Sequence, residues 1–235
     1  MTAVYGRDFS SWDGPITPKE LDYLAFVFTK ATQGTTYVFE EVHANLATIR
    51  KAKRVPGAYH FGDGGDGSTD HGAAQCDFFL DTLGPGRAPF LILDRERNPY
   101  GATMSFDQAR AFIARGHERG LAIGEYRVAS NPSADGDFQF IASWGSRPEV
   151  PFSFWQYQAA PDLDMFPGSL AQLQAFAKKV GTPQTPQPKY VARYDVTVDG
   201  QLVKRGVPWI VAFGAVRSDL GHHGLISVRR RFVRA

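Results

Sequence analysis

The sequence predicts an α/β protein: a β/α barrel whose helices thin out in its second half, followed by a small all-β module. Three observations point there. About eight strand-like runs fall within the first ~180 residues, and the early ones alternate with helical patterns. After the fifth run the helical patterns nearly vanish until one last amphipathic segment. A proline-rich spacer, Thr182-Pro183-Gln184-Thr185-Pro186-Gln187-Pro188, then separates this body from a purely β pattern. A doubly wound open sheet is the alternative arrangement of the same elements. No GxGxxG or Walker loop supports nucleotide binding, because the glycines of Gly62-Asp63-Gly64-Gly65-Asp66-Gly67 have the wrong spacing.

The domain boundaries read from this are 1–181 for the barrel, 182–188 for the linker and 189–235 for the β module. A chain of 235 residues with 43% hydrophobic and 21% charged residues can bury a sizeable core. No apolar run approaches the ~20 residues of a membrane span. The N-terminus has neither a basic nor an apolar signal region, so no secretory signal is expected. One cysteine, Cys76, leaves no internal disulfide and no multi-cysteine metal site.

Each element follows from its pattern. Val4–Phe9 is a short strand ending near Asp8, and Asp22–Ala31 a second, nearly continuously apolar, as suits a strand covered on both faces. Val42, Leu46 and Ile49 mark a helix. Pro56–Gly62 is the third strand, and Gly62–Gly67 is read as a flexible loop over the site. The next helix carries Cys76, Phe79, Leu80 and Leu83 on one stripe, so Cys76 is a buried structural thiol. Leu91–Glu96 is the fourth strand. Ser105 to Gln108 forms a capping box opening a helix with Phe106, Ala109, Ile113 and Gly116 inward. Leu121–Ala129, Gln139–Trp144 and Ser153–Gln158 are strands five to seven, and Asp162–Phe166 a short eighth. A second capping box, Ser169 to Gln172, opens a helix that buries Leu170, Leu173, Phe176 and Val180 and stops at Gly181. Beyond the linker, Tyr190–Val198, Gln201–Lys204, Trp209–Val216 and Leu225–Val233 read as strands, with Asp199-Gly200 as a hairpin turn.

The chemistry concentrates at strand ends. In Leu93-Asp94-Arg95-Glu96 the period of two points both acids one way and Arg95 the other. Barrel enzymes keep their catalytic groups at the C-terminal ends of strands. Asp8 ends the first strand, Asp94 and Glu96 the fourth, and Asp162 lies at the seventh-to-eighth junction. Tyr59 and His60 on the third strand, Tyr126 on the fifth, and Trp155, Gln156 and Tyr157 on the seventh are candidate substrate contacts. Singly, each has a structural explanation: an Asp as a turn residue, His60 as a hydrogen-bonded core histidine, the aromatics as core. Paired carboxylates with separated pKa values are the machinery of glycoside hydrolysis, and four acids recurring at one end favour that chemistry.

Six ordered motifs carry a family resemblance: Gly6-Arg7-Asp8-Phe9-Ser10, Phe28-Thr29-Lys30-Ala31-Thr32-Gln33-Gly34, Gly57-Ala58-Tyr59-His60-Phe61, Leu93-Asp94-Arg95-Glu96, Phe154-Trp155-Gln156-Tyr157 and Asp162-Leu163-Asp164-Met165-Phe166. From about Tyr5 to Val180 the chain resembles the glycoside hydrolase family 25 lysozymes, Chalaropsis-type muramidases common among bacteriophage endolysins. The resemblance implies an irregular β/α barrel that cleaves the β-1,4 bond between N-acetylmuramic acid and N-acetylglucosamine in peptidoglycan. It implies Glu96 as general acid, Asp94 as partner carboxylate, Asp8 and Asp162 as further site acids, Tyr59 at the reaction centre, and no cofactor or metal. Gln33 stands where the family often has glutamate, and Ser130–Phe138 is short, which alters part of the substrate groove.

Glu96 must hold a proton at neutral pH, so its pKa should be raised by burial and by negative neighbours such as Asp94. A carboxylate ~5 Å away suits a nucleophile and ~6.5–9.5 Å an activated water; attack by the substrate's own acetamido group is the third route, which the resemblance favours. Nine Lys and Arg against three Asp from Pro186 onward make the tail basic on an otherwise acidic chain. The tail is therefore expected to hold an anionic wall polymer. Arg229-Arg230-Arg231 is too short a run to argue for nucleic acid. The expected setting is a phage lysin made in a bacterial host's cytoplasm and acting on the wall after release, or carried on a virion. The competing readings are a chitinase-like barrel glycosidase and a non-catalytic wall-binding or virion structural protein.

Overall fold

A computed structural model describes residues 2–183 in full and, beyond them, the backbones of strands 190–198, 201–207 and 226–234. The chain divides into two compact units, Met1–Pro186 and Gln187–Ala235.

The first unit is a closed eight-stranded barrel. Its strands are β1 (Val4–Phe9), β2 (Phe26–Gln33), β4 (Val55–Phe61), β5 (Phe90–Asp94), β6 (Gly124–Val128), β7 (Gln139–Ala142), β8 (Phe154–Gln158) and β9 (Leu163–Phe166); a two-residue β3 (Tyr37–Val38) extends the edge of β2. Neighbours pair in parallel from β1 through β8, while β9 runs antiparallel to both β8 and β1 and closes the barrel. The reversed direction follows from the connection. Only four residues separate Gln158 from Leu163, and a parallel crossover needs about a dozen or more.

Period-two alternation builds two cores from one set of strands. Inward residues Phe26, Phe28, Phe90, Phe138, Phe140 and Phe154 fill the barrel with edge-to-face and tilted rings 5.0–6.1 Å apart. Glycines make room for the rings. A Cβ on Gly57 would lie 2.3 Å from the Phe28 ring, and one on Gly124 2.1 Å from Phe138. Helix α4 (Leu170–Gly181) plugs the N-terminal end with Leu173, Phe176, Ala177 and Val180. Its Ser169–Gln172 capping box is present, but Leu170 is exposed rather than buried: it lies on the same stripe as Leu173 and Ala177, at the helix's first turn, where it borders a surface groove with Val4, Tyr5 and Leu24.

Outward residues Ala58, Leu91 and Leu93 meet helices α1 (Val42–Lys51), α2 (Thr69–Leu83) and α3 (Phe106–Glu118) in a second core that holds Cys76. The Ser105–Gln108 capping box opens α3, and Phe106 lies at the core's margin. No helix stands between β6 and β9. Strand β5 stops at Asp94, so Glu96 sits on the loop beyond it rather than within the strand.

The Gly62–Gly67 segment is not a loose cover for the site. Asp63 bridges to Thr103, Gly64 N–H donates to Ala102 O, and Gln108 Nε2 donates to Gly64 O. These bonds tie it to the segment before α3, where the helices crowd it.

The second unit shows β10 (Tyr190–Val198) between β11 (Gln201–Val207) and β12 (Ile226–Arg234), both antiparallel to it. The Asp199-Gly200 turn, the strand expected at Trp209–Val216 and the linker from Gln184 lie outside the described residues. Among the described residues no helix is long and apolar enough to cross a membrane.

Candidate active site

Alternation decides which side chains meet. At the C-terminal ends of the parallel strands, Asp8, Tyr59, Asp94, Tyr126 and Gln156 are the inward residues of β1, β4, β5, β6 and β8, and they line one pocket with Glu96 and Asp162. Asp162 joins because β9 runs backwards, which brings its N-terminal end to the same rim. Seven of the ten expected site residues are thereby brought together.

The other three face outward. His60 packs against Phe79 and Phe112, with ring centroids 5.8 and 5.0 Å away, and its two nitrogens meet Thr32 Oγ1 at 2.7 Å and Gln75 Oε1 at 3.0 Å. Complete burial pushes its pKa down to about 4, so it is a neutral core histidine. Trp155 and Tyr157 flank the inward Gln156 and point outside the barrel, where they line an apolar groove with Tyr5 and Met165. Neither touches the pocket. The Gly62–Gly67 segment contributes no lining residue either.

Gln156 is the hub of the pocket's hydrogen bonds. Its Oε1 accepts from Tyr126 OH at 2.9 Å and from Trp144 Nε1 at 3.2 Å, and its Nε2 donates to Asp8 Oδ2 at 2.9 Å. Two donors on one end fix the amide's orientation, so the other end must donate to Asp8. Trp144 was not singled out in the sequence. It lies two residues past the end of β7, at the rim that barrel logic marks, and is 57% exposed. Ser10, Ile92 and Phe140 complete the lining.

Electrostatically the pocket is an acid cluster opposed by Lys30 and Arg7. Burial, then Asp162, push the Asp8 pKa up to about 7, against the opposing hydrogen bond from Gln156. Burial and then Glu96 and Asp8 hold Asp94 well above the ordinary carboxylate range, and its Oδ1 has no hydrogen-bond partner among the described residues. Glu96 is raised by burial and then by Asp162. Asp162 is raised by burial and by Asp13, against Arg7. Lys30 opposes the rise at Asp94 and Glu96. Four mutually repelling carboxyls in one pocket hold their protons to higher pH than isolated acids would. The expected mutual repulsion of Asp94 and Glu96 is present, and Asp162 adds to the rise at Glu96. Within the Asp94–Glu96 pair the deeper Asp94, 7% exposed, is the more strongly raised because it loses more solvation.

Lys30, the cation facing the acids, is itself held by a neutral group. Its Nζ donates to Gln33 Oε1 at 2.8 Å and lies over the Phe61 ring at 4.9 Å. A neutral partner leaves the ammonium charge free to act on Asp94 and Glu96. Arg95, facing away from the pocket as alternation requires, donates from Nε to Glu125 Oε1 at 2.9 Å; Glu125 Oε2 accepts from Ser133 Oγ and Ala134 N. That buried pair anchors the short 130–138 segment under the loop bearing Glu96. Among the described residues no group of three or more His, Cys, Asp and Glu is arranged to hold a metal ion.

Comparison with known proteins gives a consistent answer. The family model described as glycosyl hydrolases family 25 matches residues 7–164. Lysozyme M1 of Streptomyces globisporus is 32% identical over 214 residues, covering 75% of this chain and 72% of that protein. The N,O-diacetylmuramidase of Arthroderma benhamiae is 28% identical over 187 residues, 65% of this chain and 77% of its own. Among solved structures, a family GH25 lysozyme from Aspergillus fumigatus superposes with a TM-score of 0.63 at 27% identity, spanning 75% of this chain and 99% of its own.

Proposed function

The chain belongs to the glycosyl hydrolases of family 25, and from that premise we propose that it is a peptidoglycan muramidase, cleaving the β-1,4 bond between N-acetylmuramic acid and N-acetylglucosamine with Glu96 as proton donor and Asp94 as partner carboxylate. The single observation that carries the assignment of roles is the convergence of Asp8, Asp94, Glu96 and Asp162 on one pocket with raised pKa values.

Glu96 is the donor in this reading because it stands beyond the strand end, half-buried, where a glycosidic oxygen can reach it. Asp94 lies deeper and cannot approach the leaving group as easily. A proton held in the Asp94–Glu96 pair is available to the departing oxygen, and the negative charge left behind is steadied by Lys30. Asp94 then orients or stabilises the substrate's acetamido group as positive charge develops at the anomeric carbon. Tyr59, whose phenol burial keeps protonated, supplies a hydrogen-bond donor to the sugar, Tyr126 spends its O–H on holding Gln156, and exposed Trp144 offers a face for the sugar to stack on.

Replacing Glu96 with glutamine tests the assignment. Hydrolysis of purified peptidoglycan is expected to fall ~10²–10⁴-fold with the thermal melt unchanged. Full activity in that variant would remove Glu96 from the donor role.

Two further parts of the proposal rest on the sequence. The basic C-terminal module holds anionic wall polymers, so deleting Pro186–Ala235 should weaken wall binding, with the difference shrinking in high salt. The enzyme acts as a phage lysin that meets the wall from inside its host; cytoplasmic expression should lyse cells only when the membrane is also permeabilised.

A further inference from the structure

Asp164 is a carboxyl with no solvent and no ordinary partner. It sits on β9, in register with Gly6 of β1 and Gln156 of β8, and is fully buried. Neither of its oxygens receives a hydrogen bond from an N–H or hydroxyl of a described residue. The carboxyl set nearest to it by the strand register is that of Asp8: Asp164 stands opposite Gly6, Asp8 lies two residues on along the same face of β1, and each acid acts on the other's titration. A bond between two carboxyls needs one proton, since two carboxylates have only acceptors.

Geometry locates that proton. Asp8 borders the pocket and already accepts from Gln156 Nε2 at 2.9 Å, so its charge has both a donor and access to water. Asp164 has neither, and an unpaired buried charge is the costliest state for it. We propose that Asp164 stands protonated beneath the pocket and donates its O–H to Asp8, as a positioning residue that fixes the Asp8 carboxylate together with Gln156. The proposal takes the pocket to be the hydrolytic site argued above.

Its surroundings support a neutral Asp164. Asp8 on β1 and Asp162 ahead of β9 both disfavour a further negative charge, Tyr157 on the adjacent β8 is an uncharged phenol, and only Arg7 on β1 favours ionisation. With two donors, Asp8 can ionise near neutrality although it is buried. Without the Asp164 proton it would have one, and would stay protonated to a higher pH.

The direct test uses the full chain with 13C-labelled aspartate, the Asp164 carboxyl resonance being assigned by its loss in Asp164→Asn. Between about pH 5 and 8 that resonance is expected to keep the position of a protonated acid while Asp8 titrates. An ionised Asp164 in that range would overturn the proposal. This readout needs no enzymatic activity, so failure of the muramidase reading would leave it standing and is separately visible.

Kinetics provide the second arm. Asn retains an N–H for Asp8, so Asp164→Asn should keep kcat/KM within about threefold, with the acidic limb of its pH profile in place. Asp164→Leu, of similar size but without a donor, should lower kcat about tenfold or more, with KM held and the acidic limb moved to higher pH. A fully active Leu variant, or an Asn variant as impaired as Leu with an intact melt, would refute the positioning role.

Discussion

Replacing Asp8 with asparagine is expected to stabilise the protein at alkaline pH while lowering its activity. The folded-state pKa of Asp8 is about 7 against an ordinary 3.8, raised first by burial. An acid raised on folding contributes stability that is fully present below pH 3.8 and is lost as the pH climbs to about 7, because the unfolded chain gives up its proton first. At 1.36 kcal/mol per pKa unit the full loss is about 4 kcal/mol. Asp8 borders an open pocket, so solvent screening reduces this to ~2 kcal/mol. Asparagine keeps an acceptor for Gln156 Nε2 and carries no charge to bury. The variant should therefore melt roughly 4–8 °C higher than the parent at pH 8 and nearly equal to it at pH 4, followed by near-ultraviolet circular dichroism. An equal gain at both pH values would show a packing effect, and no gain at pH 8 would refute the claim that Asp8 is held against its charge.

His60 works with the opposite sign. Its folded pKa of about 4 lies below the ordinary 6.5, so stability is full above pH 6.5 and falls by about 3 kcal/mol as the pH drops to 4. His60→Gln should flatten that acid limb in denaturant melts. Breaking the buried Arg95–Glu125 pair by Glu125→Ala should cost ~3–5 kcal/mol, measured by urea unfolding, because Arg95 is left charged and unpartnered. Trp144→Ala should raise KM for peptidoglycan about three- to tenfold, whereas Trp155→Ala and Tyr157→Ala should leave KM alone in the same assay.

The contrast among those tryptophans shows where sequence reading stops. Alternation gives the period of a strand but not its phase. In Phe154-Trp155-Gln156-Tyr157 it says that Trp155 and Tyr157 share a face, and their ring chemistry suggested that this face met the sugar. The structure turns Phe154 and Gln156 inward instead, and Phe154 could have set the phase, since it belongs with the phenylalanines that fill the barrel. His60 faces the helices while its neighbour Tyr59 faces the pocket, for the same reason. The four acids were legible because strand ends are marked by where apolar runs stop. The backward β9 was legible in principle from its four-residue connection to β8. Asp164 was not. Its role depends on burial beside Asp8, a residue more than 150 positions away in the chain.

The central claim is that the acid pocket hydrolyses the bond on the reducing side of N-acetylmuramic acid. Mass spectrometry of purified peptidoglycan digested by the full chain, reduced before analysis so that each new end is labelled, tests it most directly. Fragments ending in reduced muramic acid are expected from the parent protein and none from Glu96→Gln. Fragments ending in reduced N-acetylglucosamine, or an undigested wall with the folded parent protein, would contradict it.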